Sequence, residues 1–259
     1  MKKLALALAA SAALVGQATA ADMAARMPAK AAPMVAVTNW TGCYLGAGGG
    51  GAVTNNDHND FVTATGLATG PNVTTGARGW FGTVQGGCDY QFAGTNWLVG
   101  AFADYDFMDV KGDTSFFGVI GPMLTGTQKQ DWQWSVGGRV GYVLLPQLLT
   151  YVSGGYTQAH WKSTDMATFG AVPTVNLPGA TKGGWFIGTG DEYALGLLPG
   201  LFWKTEYRFS EFDRANVGVV TIPGGVATGF SETQKFREHS VRSELVWRFN
   251  WTGPVVAKY

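Results

Sequence analysis

The stretch Asn96-Trp97-Leu98-Val99-Gly100-Ala101-Phe102-Ala103-Asp104-Tyr105-Asp106-Phe107-Met108 decides the fold. Trp97, Val99, Ala101, Ala103, Tyr105 and Phe107 recur at every second position, and Asp104 and Asp106 fall between them. A period of two belongs to a strand whose two faces meet different surroundings. The apolar row carries aromatic rings toward its ends and small residues between, the distribution expected where rings sit at the two water interfaces of a bilayer. A soluble sandwich would bury the apolar face and solvate the polar one. Apolar outside and polar inside fits these residues better.

Seven more segments read the same way. Residues 40–53 set Cys43, Leu45 and Ala47 against Tyr44 and a row of Gly, and 77–92 set Trp80, Val84, Cys88 and Tyr90 against Thr83, Gln85 and Asp89. Residues 130–145 oppose Trp132, Trp134, Val136, Val140 and Tyr142 to Gln133, Ser135 and Arg139; the alternation in 148–162 is weaker. Segments 184–197, 201–212 and 236–249 place Glu192, then Lys204, Glu206 and Arg208, then Arg242, Glu244 and Arg248 opposite rows led by Trp185, Trp203 and Trp247. Each has about 10 to 16 residues, enough for a tilted membrane strand and longer than a usual globular one. The joins around Gly94, Pro146 and Pro199-Gly200 are short, whereas 54–76, 109–129, 163–183 and 213–235 are long and rich in Thr, Gly, Asn and Pro. Outer-membrane barrels alternate short periplasmic turns with long outer loops in this way. Only closure satisfies every backbone group in lipid, so the expected fold is all-β: an eight-stranded antiparallel transmembrane β-barrel with four extracellular loops.

Composition agrees. The 259 residues include 38 Gly, and only 14 % are charged, with eighteen Lys and Arg balancing eighteen Asp and Glu. A soluble domain carries about twice that charge and about half that glycine. Zero net charge gives no field for nucleic acid, and ten Trp, nine Tyr and fifteen Phe exclude a chain that never packs. Lys2 and Lys3, an apolar run over 4–15 and Ala18-Thr19-Ala20 read as a secretory signal over 1–20, too short in its apolar part to span a bilayer as a helix. Residues 21–39, with Pro28 and Pro33, read as a periplasmic linker, 40–249 as the barrel and 250–259 as a periplasmic tail.

Trp40-Thr41-Gly42-Cys43-Tyr44-Leu45-Gly46, the run from Gly82 to Gln91, Asp104-Tyr105-Asp106-Phe107, Glu206-Tyr207-Arg208-Phe209 and the ending from Trp247 to Tyr259 resemble the small outer-membrane β-barrel proteins of alphaproteobacteria, often called outer-membrane immunogenic or porin-family proteins. The similarity covers nearly the whole chain after the signal and is weakest in the long joins. It implies an eight-stranded surface antigen with no shared chemistry and no cofactor. It also implies that Trp247 and Phe249 form the terminal signal read by the barrel assembly machinery, with Tyr259 of the tail as the competing aromatic. Two positions depart from the pattern: Cys43, where an aromatic is usual, and Asp191, which falls on the lipid-facing row near a water interface or beside a bulge.

The residues that could carry chemistry are few. Cys43 and Cys88 fall on outward faces at the periplasmic end of neighbouring strands, where export favours a disulfide over two free thiols. Asp104, Asp106, Arg139, Glu192, Lys204, Glu206, Arg208, Arg242, Glu244 and Arg248 point inward, into a lumen just wide enough for side chains to fill. Pairing across neighbouring strands is expected, Glu206 with Arg242 and Asp104 or Asp106 with Arg139. Such a network plugs the lumen; the alternative is a narrow porin-like channel lined by the same charges. A rim enzyme acting on lipid or peptide is the weaker rival, since His58 in the first loop, His160 and His239 are all at the outer end but no nucleophile motif accompanies them. No catalytic, cofactor or metal site is expected, and Gly46 with Gly48 to Gly51 form no phosphate loop. Outer-membrane lipid, lipopolysaccharide and the assembly machinery are the expected partners, with nucleic acid excluded and the loops as the antigenic or adhesive surface.

Overall fold

The computed structural model describes residues 39–117, 123–168 and 171–249. The expected signal 1–20, the linker as far as residue 38 and the tail 250–259 with Tyr259 lie outside the described residues. Eleven strands follow one another: β1 (Gly42–Val62), β2 (Val73–Gln91), β3 (Trp97–Phe116), β4 (Leu124–Leu145), β5 (Leu148–Trp161), β6 (Thr164–Met166), β7 (Val175–Leu177), β8 (Ala180–Ala194), β9 (Leu201–Phe212), β10 (Ala215–Thr221) and β11 (Ala227–Phe249).

Eight of them close a ring. β1, β2, β3, β4, β5, β8, β9 and β11 pair in that order, all antiparallel, and β11 returns to β1 with Cys43 opposite Phe249 and Val62 opposite Phe230. Closure demands a tight approach at this seam. A Cβ on Gly48 would sit on the Ser243 carbonyl oxygen, and one on Gly50 would meet the Val241 carbonyl and the Phe81 ring. Glycine is required at both positions because the neighbouring backbone occupies the space.

The faces are those the alternation calls for. Leu45, Val84, Val136, Val140, Val152, Ile187, Val241 and Leu245 are exposed on the outer wall. Tyr90, Trp97, Tyr142, Tyr193, Trp203 and Trp247 mark its periplasmic edge, with Trp97 and Tyr142 packed edge to face at 5.1 Å. Trp80, Phe107 and Trp185 mark the outer edge, where Phe209 packs against both Trp185 and His239. Asp191 is exposed two residues from Tyr193, and neither of its strand pairings contains a bulge, so it stands at the periplasmic interface. Cys43 and Cys88 are opposed in register and form a disulfide.

The strands run well past the outer aromatic edge. The segments 54–76, 109–129, 163–183 and 213–235, expected as loops, are in large part paired strand. β1 continues nine residues beyond Val53, paired to β11 throughout. Where β5, β8 and β9 stop, β6, β7 and β10 take over their places: β10 pairs with β11, β7 with β10, β6 with β7, and a bridge from Thr125 to Ala167 joins this edge to β4. The alternation cannot report this outer storey. Above the bilayer both faces of a strand are polar, as in Thr54-Asn55-Asn56-Asp57-His58-Asn59-Asp60, and the period-two signal vanishes although the ladder does not.

Candidate functional site: the charged interior of the barrel

Inward positions follow from strand parity, and the narrow ring brings them within reach of one another across the lumen. At the periplasmic end Trp40, Tyr44, Leu98, Phe102, Leu149, Tyr151, Phe186, Phe202 and Val246 form one buried apolar cluster. Embedded in it are two arginines and two carboxylates. Arg139 donates to Asp89 at 2.5 Å and to Glu192 at 3.3 Å, and Arg248 to Glu192 at 2.6 Å and to Asp89 at 2.8 Å. Each acid therefore serves both bases, so the quartet is neutral. The Tyr44 ring lies under both guanidinium groups, at 4.6 and 5.0 Å, and Arg248 also donates to the Trp40 carbonyl.

Midway along the lumen a second group spans the barrel. Arg208 donates to Asp104 at 3.0 Å and Glu206 at 2.8 Å, and Arg242 reaches Asp104 at 3.3 Å and Asp106 at 3.0 Å. Lys204 stands 3.4 Å from Glu206 and 3.5 Å from Glu244, and donates to Gln85. The Tyr151 hydroxyl donates to Glu206 at 2.8 Å. All of these charged groups are buried. Buried charges are tolerable only when paired and hydrogen-bonded.

The outer storey holds a third, more polar layer. The buried His58 ring has Glu232 at 2.5 Å on Nδ1 and the Thr75 hydroxyl at 3.0 Å on Nε2. Gln234 donates to Glu232, and Lys182 to Gln234. Asp60 faces Glu232 in register and accepts the Phe117 backbone N–H at 2.8 Å. It lies seven residues beyond Val53, outside the membrane-spanning part of β1; burial pushes its carboxyl up to about 7, against the pull of the Phe117 N–H. Phe116, Met166, Leu177 and Val219 form a buried apolar cluster in this storey.

The ten inward charges read from the sequence are all buried in this interior, with different partners from those expected. Arg139 meets Asp89 and Glu192 rather than Asp104 or Asp106. Glu206 and Arg242 are register neighbours, yet Glu206 pairs with Arg208 and Lys204 while Arg242 pairs with the two aspartates of β3. Register predicts contacts along the wall, and long side chains in a narrow tube reach across it instead. Asp89 belonged to the polar row of its segment, and its parity with Thr83 and Gln85 was the available signal for including it. Glu232, Asp60, Lys182 and His58 were hidden because their segments read as loops, whereas Glu238 lies in the segment 236–249 with the parity of Arg242 and Glu244 and is buried with them. The histidines are not brought together: His58 is inside, His160 is held by Asp131 against Trp132, and His239 bonds Tyr207 on the outer wall, with β8 and β9 between β5 and β11. Among the described residues no group of three or more His, Cys, Asp or Glu side chains is placed to hold a metal ion.

A closed antiparallel ring with a lipid-facing apolar wall and a charged interior defines an outer-membrane β-barrel protein. The fold is shared with the outer membrane protein OprG of Pseudomonas aeruginosa, at a TM-score of 0.51 and 13 % identity over 81 % of this chain and 97 % of that one. The chain is a homologue of the 31 kDa outer-membrane immunogenic proteins of Brucella melitensis and Brucella suis, 29 % identical to each over 235 residues, which cover 90 % of this chain and 93 % of theirs. No family profile matches the sequence. The protein resides in the outer membrane.

Two outcomes follow from the geometry. Arg208→Met leaves Asp104 with Arg242 and Glu206 with Lys204, so its cost falls at the low end of the range for a broken buried pair, about 3 kcal/mol, read from urea unfolding in detergent; no change in the midpoint would show the pairs to be energetically idle. For Asp60 the folded state holds the proton more tightly than the unfolded chain, so stability is lost as pH rises from about 4 to about 7. Asp60→Asn removes that loss, and its stability advantage over the parent should widen between pH 5 and pH 8. A constant difference across this range would contradict the assignment.

Proposed function

We propose that the protein is a closed surface barrel: a structural component of the outer membrane that displays its outer storey to the exterior and conducts no solutes. The observation that carries this reading is the quartet of Arg139, Asp89, Glu192 and Arg248, which spans the lumen within a collar of buried aromatic rings. An eight-stranded barrel encloses little more than its own side chains, and here these are bonded to each other. The mid-lumen group and the outer apolar cluster repeat the obstruction at two further levels. A conducting ring would need charges turned toward a water path rather than toward opposite charges.

The name of the Brucella relatives supports an antigenic role for the exposed part of this chain. In that role the turns at the ends of β1 and β10 and the outer faces of the extended strands form the surface that antibodies or host molecules meet. The reading includes no catalysis. His58, Glu232 and Thr75 follow the order of carboxylate, imidazole and hydroxyl used in nucleophilic hydrolysis, but His58 and Glu232 are sealed inside the strand wall. Insertion through the barrel assembly machinery, guided by Trp247 and Phe249 at the end of β11, belongs to the same proposal.

Planar-bilayer recording on the refolded protein tests closure. Current indistinguishable from that of protein-free membrane is expected, and stable single-channel steps would overturn it. Sera raised against segments 63–72 and 222–226 should bind intact cells; binding only after the cells are broken would overturn the display reading.

A further inference from the structure

Four cations stand in one row on the outer wall. Arg78 of β2 is the register partner of Lys111 of β3, and Lys111 is the partner of Lys129 of β4. Lys162, just past β5, donates its backbone N–H to the Lys129 carbonyl at 2.8 Å and so extends the row across a fourth strand. The outward faces of these positions are exposed or half-exposed. Like charges directly opposed across a ladder are destabilising, and here the opposition is repeated along four neighbouring strands.

The protein itself compensates only part of it. Asp109 lies 3.0 Å from Lys111 and 2.5 Å from Lys129, and Asp131 sits 3.9 Å from Lys162 while also holding His160. Among the described residues Asp113, on the rim above Lys111, makes no ion pair, and the Arg78 side chain makes neither an ion pair nor a hydrogen bond. The far side of the barrel differs. There Lys235 and Arg237 are matched by Glu211, and Arg237 also by Asp57.

The height of the row is telling. Trp80 lies two residues below Arg78 on the same face of β2, and Trp132 three residues below Lys129 across a bulge in β4, so the cations stand on the outer edge of the aromatic belt. That is the depth of the outer-leaflet headgroups. Two depressions meet at Arg78. One, of about 490 Å³, is lined by Arg78, Lys111, Thr127 and Asp113. The other, of about 700 Å³, runs along the lipid-facing wall from Arg78 past Val53 and Gly51 of β1 and His239 and Val241 of β11 to Tyr207 of β9.

We propose that Arg78, Lys111, Lys129 and Lys162 bind the phosphates of a phosphorylated glycolipid of the outer leaflet, with one acyl chain in the slot beside Arg78. A phosphate bridging neighbouring cations removes their repulsion, and a guanidinium with no partner among the described residues offers a bidentate fork to it. The site does not depend on whether the lumen conducts. It places the phosphates on the β2 to β5 side of the barrel and the acyl chain across β1 and β11 toward Tyr207 of β9.

Native mass spectrometry of the whole mature protein in detergent, titrated with bis-phosphorylated lipid A, tests the assignment. One retained lipid A is expected. Arg78→Gln with Lys111→Gln should weaken binding about thirtyfold, while Lys235→Gln leaves it unchanged within about twofold. Lipid A stripped of its phosphates should bind as weakly to the parent protein as lipid A does to the double variant. Equal binding by parent and double variant, equal binding of the stripped lipid, or displacement of lipid A by equimolar inorganic phosphate would each overturn the proposal. Heat-modifiable gel mobility verifies that each variant is folded, and Lys129→Gln with Lys162→Gln serves as an independent pair with the same expected loss.

Discussion

Every feature of this protein depends on the hydrogen bonds between β1 and β11. In lipid an unpaired backbone N–H or C=O has nothing to bond to, so a membrane sheet with an open edge cannot persist. The seam that removes the edge runs from Cys43 opposite Phe249 to Val62 opposite Phe230. It fixes the ring at eight strands, and the ring then fixes how much room is left inside. Gly48 and Gly50 are the local condition for that closure, because the β11 backbone occupies the space a side chain would take.

The small lumen dictates the chemistry of the interior. Half of each strand's residues point into it, and the charged ones can be held there only by opposite charges. Because the tube is narrow, an arginine on one wall reaches a carboxylate on another. Arg208 of β9 and Arg242 of β11 converge in this way on Asp104 of β3, and Asp89 with Glu192 is shared by Arg139 and Arg248. The periplasmic quartet is neutral by itself, whereas the buried interior as a whole holds nine carboxylates and six Lys or Arg side chains among the described residues. On the outer collar Lys235 and Arg237 of the β9 to β11 side are paired with carboxylates, and the cations of the β2 to β5 side only in part.

The membrane-spanning half of the fold was legible because two solvents imprint two different residue sets on alternate positions. Trp97 to Phe107 on one face with Asp104 and Asp106 on the other is that imprint in its plainest form. The same logic failed above the bilayer, where Asn55, Asp57 and Asn59 face water and Asn56, His58 and Asp60 face a polar interior. With both faces polar, the strand leaves no trace in the pattern, and nine residues of barrel wall in β1 read as a loop. The interior charges were legible as a set for the same reason that the spanning strands were. Their pairing was not, since Arg139 and Asp89 come from strands two places apart and no spacing in the chain records that they share a level.

By itself the sequence determined the membrane-facing surface, the number of spanning strands, the inward row of charges and the adjacency of Cys43 and Cys88, because each of these follows from local alternation and the order of short and long joins. Tertiary structure alone decided the partners of Arg139, Glu206 and Arg242, the outer storey built from β6, β7 and β10, and the alignment of Arg78, Lys111, Lys129 and Lys162 into one row. The physical reason is register. Alternation tells which way a side chain points, whereas the tilt and stagger imposed by closure decide the height at which it meets its neighbours.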